Sequence, residues 1–101
     1  MREADYQARI VRDIKTKLPG CMVTKNDANH IQGLPDLTVF YGPKFAFLEV
    51  KSSKDAKNRP NQEHYITKWS DRAFAAFIYP EVEAQVMHEL MHYMGVDHAS
   101  V

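Results

Sequence analysis

The sequence predicts one α/β domain, a mixed central sheet flanked by helices, with its elements in the order αβββαβα. Three observations carry this prediction. Apolar residues recur at helical spacing at both ends of the chain, a β-hairpin signature lies between them, and a further apolar strand, "FAAFIY", is set off from the hairpin by a helical stretch. The 101 residues, read as a single domain over 1–101, supply one modest core and no second one.

Taken in order, residues 3–18 read as a helix because Tyr6, Ile10, Val11, Ile14 and Leu18 share helical spacing and Pro19-Gly20 stops it. "CMVTK" reads as a short strand with Cys21 buried in it, and a polar loop, "NDANHIQGLP", follows. "DLTVFY", a Gly42-Pro43 turn and "FAFLEVK" form the hairpin. After the loop "KSSKDAKNR", Pro60 suits the first position of a helix reaching about Arg72, since the N–H it lacks has no partner at a helix start. "FAAFIY" is the last strand, Pro80 ends it, and "EVEAQVMHELMHYM" is the final helix. No internal repeat, linker or low-complexity segment interrupts the series.

Composition narrows the function. Hydrophobic residues at 45% and charged residues at 26% exclude a disordered chain, and no apolar run nears the roughly 18 residues of a membrane span. The start "MREADYQARI" lacks the apolar stretch of a signal peptide, so a cytoplasmic location and no membrane partner are expected. The lone Cys21 forms no internal disulfide, as suits a reducing compartment. Net charge is zero, yet all 13 Lys and Arg lie before Glu81 with nine of the 13 acidic residues, leaving +4 there and −4 beyond. Affinity for phosphate therefore depends on a local patch, best supplied by Lys51, Lys54, Lys57 and Arg59 around Asp55. A plain solvated loop is the alternative.

The hairpin contains an oddity. Strand alternation puts Phe45, Phe47, Glu49 and Lys51 on one face and Ala46, Leu48 and Val50 on the other, so a carboxylate and an ammonium share an otherwise apolar strand. Asp36 starts the partner strand directly after Gly33-Leu34-Pro35, and a tight hairpin brings it near Glu49. Two carboxylates so close repel unless a cation joins them, and hard oxygen ligands suit Mg²⁺ or Mn²⁺. The competing reading is a Glu49–Lys51 surface pair on an edge strand.

Gly33-Leu34-Pro35-Asp36, Glu49-Val50-Lys51 and Gln62 together resemble the PD-(D/E)XK nuclease superfamily, specifically its VRR-NUC branch. Small stand-alone members of that branch, several from phages, are similar to Holliday junction resolvases. The resemblance spans about residues 3–80 and includes the order αβββαβ. It implies a restriction endonuclease-like core and a metal-dependent endonuclease that hydrolyses phosphodiester bonds, with branched or junction DNA as partner and Mg²⁺ or Mn²⁺ as cofactor. By the same resemblance, Asp36, Glu49 and the Val50 carbonyl hold the metal, Lys51 orients or deprotonates the attacking water, and Gln62 supports it from the helix. Lys54, Lys57, Arg59 and Lys25 become the candidate DNA contacts. A bacterial or phage-infected cell is the expected setting.

The first helix bears on this independently. Helical phase puts Glu3 and Gln7 within the stripe of Ile10, Ile14, Leu18 and Val11, while Asp5 faces solvent. Polar side chains on a core-facing stripe need partners, and the resemblance expects a glutamate on this helix. Glu3 is therefore assigned to the metal site and Gln7 to its support. A frayed first turn with Glu3 merely exposed is the alternative. A homodimer is also expected, because resolving a four-way junction takes two incisions on opposed strands; Trp69, Phe74, Met87, Met91 and Met94 are the apolar residues available for its interface. A non-catalytic nucleic-acid-binding module of the same fold is the second function class. The intact Asp36, Glu49 and Lys51 set argues against it.

A second motif competes. "HELMHYMGVDH", His88 to His98, has the H-E-x-x-H-x-x-G-x-x-H spacing of the metzincin zinc proteases. Such a protease needs a larger domain and a methionine turn after the third histidine, whereas only Ala99, Ser100 and Val101 follow His98. Helical phase also turns His88 and His92 away from Val86, Leu90, Met94 and Met87. The motif is read as a chance match on an amphipathic helix, with zinc binding through His88, His92 and His98 as the remaining option. His30 is read as a loop histidine.

Overall fold

The computed structural model describes residues 1–27, 33–57 and 62–96. The expectations placed on His30, Arg59, Pro60 and His98 lie outside the described residues. Helix α1 spans Glu3–Lys17, followed by strands β1 (Met22–Lys25), β2 (Leu37–Tyr41) and β3 (Lys44–Val50). Helix α2 (Gln62–Ser70), strand β4 (Phe74–Ile78), a 3₁₀ turn at Pro80–Val82 and helix α3 (Glu83–Tyr93) complete the expected series. Cys21 stands just before β1 and is only half-buried; its N–H donates to Leu18 O at 3.0 Å in the turn that follows α1.

The sheet has the order β1-β2-β3-β4, antiparallel from β1 to β3, with β4 parallel to β3. Parallel neighbours cannot be joined by a tight turn, and α2 makes the crossover between them. β3 is therefore an inner strand, and Glu49 on it is 2% exposed. This overturns the surface-pair reading on an edge strand. Alternation then sorts the side chains. Leu37, Val39, Ala46, Leu48, Val50 and Ile78 form the floor of the main core, which Tyr6, Ile10, Ile14 and Leu18 of α1 and Val86, Met87, Leu90, Met91 and Met94 of α3 cover. On the opposite face Trp69 of α2 packs on Phe45 and Phe47, with ring centroids 6.3 and 5.5 Å apart.

Two expectations about surfaces change. The buried stripe of α1 is Tyr6, Ile10, Ile14 and Leu18, rotated away from Glu3, which is exposed, and Gln7, which is half-buried. Beside this stripe α1 meets α3: Tyr6 Oη donates to Glu83 Oε1 at 3.1 Å, and Arg9 grips both Glu83 oxygens at 2.6 and 3.0 Å. Met87, Met91 and Met94 belong to the core and are not available to a subunit interface; Trp69 and Phe74 are half-buried. Among the described residues, the exposed large apolar side chains are Met1, Met22 and Phe40.

Candidate active site

Asp36 and Glu49 clasp one another's backbone. The Asp36 N–H donates to Glu49 Oε1 at 3.1 Å, and the Val50 N–H donates to Asp36 Oδ2 at 2.9 Å. Each carboxylate thus accepts a hydrogen bond from the strand that carries the other, which fixes both at the C-terminal end of β3. Gln62, the first residue of α2 and itself buried, donates its Nε2 to Glu49 Oε2. A carboxylate held inside a sheet is costly unless hydrogen-bonded, and Glu49 receives these donors on both oxygens.

The entry to Asp36 is shaped before the strand begins. Gly33 has φ 85°, a left-handed conformation that side-chain-bearing residues rarely adopt, and it is buried there. Asn26, just after β1, donates its N–H to Asp36 O at 2.7 Å and its Nδ2 to Pro35 O at 2.9 Å and Thr38 Oγ1 at 2.8 Å. Asn26 thereby sets the backbone on which Asp36 stands. Sequence reasoning passed over it as one polar loop residue among several; its position straight after the last residue of an edge strand is the signal that could have found it.

Glu3 reaches the same end of the sheet by another route. It is exposed, yet the Ser52 N–H, in the loop that leaves β3, donates to its Oε1 at 3.2 Å. Asp5 pairs instead with Arg2 at 3.3 Å on the exposed side. Gln7 is one turn beyond Glu3, and among the described residues it makes no hydrogen bond to the site. The structure therefore joins Asp36, Glu49 and Gln62 directly, places Glu3 at the Ser52 N–H just beyond β3, and leaves Gln7 apart.

Lys51 continues the ladder of β3, its N–H donating to Ile78 O at 2.9 Å. Its ammonium rests over the rings of Phe77 and Tyr79, 5.4 and 5.7 Å from their centroids. Among the described residues no ion pair joins it to Asp36 or Glu49. Lys25, Lys54 and Lys57 are exposed, as contacts to a phosphate backbone require.

The donor set suits a hard divalent cation: two carboxylates and a peptide carbonyl, all oxygen. A carboxylate offers about four lone-pair positions, so the hydrogen bonds on Asp36 and Glu49 are compatible with coordination. Among the described residues no group of three or more His, Cys, Asp or Glu side chains gathers closely enough to hold an ion by itself. Two acids plus backbone and solvent oxygens match the way magnesium is commonly held.

His88 and His92 are exposed and border a groove with Asp13, Thr16 and Lys17, and the glycine of their motif has a structural explanation. Gly95, φ 81°, ends the helix: its N–H donates to His92 O at 3.1 Å and the Val96 N–H to Met91 O at 2.9 Å. This is the paired closure that favours glycine after a helix, and Val96 packs back on the core.

No family model and no curated relative matches the sequence. A solved structure described as a "VRR_NUC domain" is similar over 90% of this chain and 96% of its own, with a TM-score of 0.67 and 25% identity.

Proposed function

From the premise that this chain carries the VRR_NUC nuclease fold, we propose that it is a Mg²⁺- or Mn²⁺-dependent endonuclease that hydrolyses phosphodiester bonds in branched DNA, in the manner of a Holliday junction resolvase. The observation that carries the reading is the reciprocal clasp of Asp36 and Glu49, with Gln62 on the second Glu49 oxygen. Asp36, Glu49 and the Val50 carbonyl would hold the ion, with Glu3 bordering the site. When bound, the metal supplies charge to the scissile phosphate and acidifies a water. Gln62 keeps the Glu49 carboxylate from rotating. Lys51 would leave its seat on Phe77 and Tyr79 to meet the phosphate, steadying the negative charge that develops on it. Lys54 and Lys57, with Arg59 and Lys25, would track the DNA backbone.

The test is cleavage of a panel comprising a four-way junction, a flap, a nicked duplex and a plain duplex, with Mg²⁺, Mn²⁺ or EDTA. Cutting of the branched substrates that EDTA abolishes is expected. Undiminished cutting in EDTA refutes the metal-dependent reading, and tight DNA binding without cutting under any condition favours a non-catalytic module.

A further inference from the structure

Beside Lys51, at the outer edge of β4, lies a cavity of about 310 Å³ that the hydrolytic residues leave unexplained. Phe77 and Tyr79 wall it together with Val82 and Val86, and Gln85, Glu63 and Lys51 supply its polar edge. In the parallel register Phe77 stands opposite Glu49, and Tyr79 follows Ile78, the partner of Val50. The cavity therefore opens one strand away from the paired carboxylates. Ligands of open α/β sheets collect beyond the C-terminal ends of parallel strands, and β3 and β4 are the parallel pair. The Lys51 ammonium over both rings shows that they turn their faces toward that end.

We propose that this cavity is a nucleobase subsite, which receives one unpaired base next to the scissile phosphate and so sets a preference for DNA interrupted by unpaired nucleotides. The inference rests on the nuclease reading and names what selects its substrate. Aromatic faces stack on any base, because every base has a π-face. The Gln85 amide both donates and accepts, as reading a base edge requires, and the Glu63 carboxylate disfavours a second phosphate in the same place. The volume lies at the low end of the roughly 300–1,000 Å³ of ligand pockets and admits a nucleobase. Taking a base from the stack costs least where it is unpaired, as beside a branch point or in a bulge. Lys51 links the two halves: as the base enters, its ammonium is displaced from the rings toward the phosphate of that nucleotide.

The probe is a duplex with 2-aminopurine as a single-nucleotide bulge, compared with the fully paired duplex, titrated in EDTA so that nothing is cut. Binding should quench the bulged 2-aminopurine. Tyr79→Ala and Gln85→Ala should each weaken affinity for the bulge by about tenfold, Tyr79→Phe should retain it, and affinity for paired duplex should hold in all three. With Mg²⁺, the ratio of bulge cleavage to paired-duplex cleavage should fall in Gln85→Ala. Gln85 is exposed on α3, so that variant folds even if Tyr79→Ala does not. Equal quenching and equal affinity for the bulge in wild type, Tyr79→Ala and Gln85→Ala overturn the subsite, whatever the cutting activity. Wild-type protein that quenches the bulge, loses this on substitution and never cuts removes the nuclease reading and leaves the base site standing.

Discussion

Glu49 and Glu3 are both placed at the end of β3, and their surroundings set different tolerances. Glu49 is buried with donors on both oxygens, so replacing it removes the acceptor that the Asp36 N–H and Gln62 Nε2 share. Glu49→Gln keeps shape and part of the bonding while removing the charge; Asp36→Asn does the same across the hairpin. Each should lower DNA cleavage by at least about a hundredfold with the circular dichroism of the folded chain retained, which separates chemistry from folding. Glu3→Ala should lower cleavage more than Asp5→Ala, because Glu3 meets the Ser52 N–H and Asp5 only the exposed Arg2. Equal rates for those two variants would place Glu3 outside the site.

Helix α3 is tied to α1 at its start and closed by Gly95 at its end. At the start, the Arg9 guanidinium holds the Glu83 carboxyl below its ordinary range against the opposing effect of burial, with the Tyr6 hydroxyl assisting. Burial and the Glu83 carboxylate in turn raise the Tyr6 phenol. A carboxyl depressed on folding adds stability that is complete above its unfolded value, near 4.3, and is lost as pH falls through the folded value. Wild type should therefore melt several degrees above Glu83→Gln at pH 7, and the gap should close on acidification from about pH 4.5 downward. A gap that is constant from pH 7 to pH 3 would show that the Glu83 charge contributes nothing. On the same helix, replacing His88 and His92 by Ala should leave cleavage unchanged and move stability by no more than about 0.5 kcal/mol, since both are exposed. Stoichiometric zinc in the purified protein, with unfolding on its removal, would reverse that assignment.

In the whole molecule the site rests on one acid pair, Asp36 and Glu49, and resolving a four-way junction requires two opposed cuts. A homodimer with C₂ symmetry meets that need. Its apolar contact cannot be the methionines of α3, which are core; Met22 and Phe40 are the exposed pair, directly opposed in the β1–β2 register. Light scattering at micromolar concentration should show a dimer, and a four-way junction should be cut faster than a matched duplex. Two basic loops engaging one DNA should also give affinity that falls steeply with salt, with a slope of several counterions. A monomer that cuts junction and duplex alike would leave a nuclease and remove the resolvase.

The element order and the closeness of Asp36 to Glu49 are legible in the chain because both follow from local rules: periodicity, turn residues and a tight hairpin joined by Gly42-Pro43. Gln62 was legible only through its motif. The remaining features depend on contacts between distant segments. The parallel addition of β4 made β3 an inner strand and buried Glu49; packing of Tyr6, Ile10 and Ile14 into the core left Glu3 exposed at the loop after β3 rather than on the core stripe. The clamp of Asn26 on the Asp36 segment, the seat of Lys51 on Phe77 and Tyr79, and the burial of the three α3 methionines have the same origin. Periodicity assigns a residue to a face of its own element, but which neighbour covers that face is set by packing among elements that are remote in sequence.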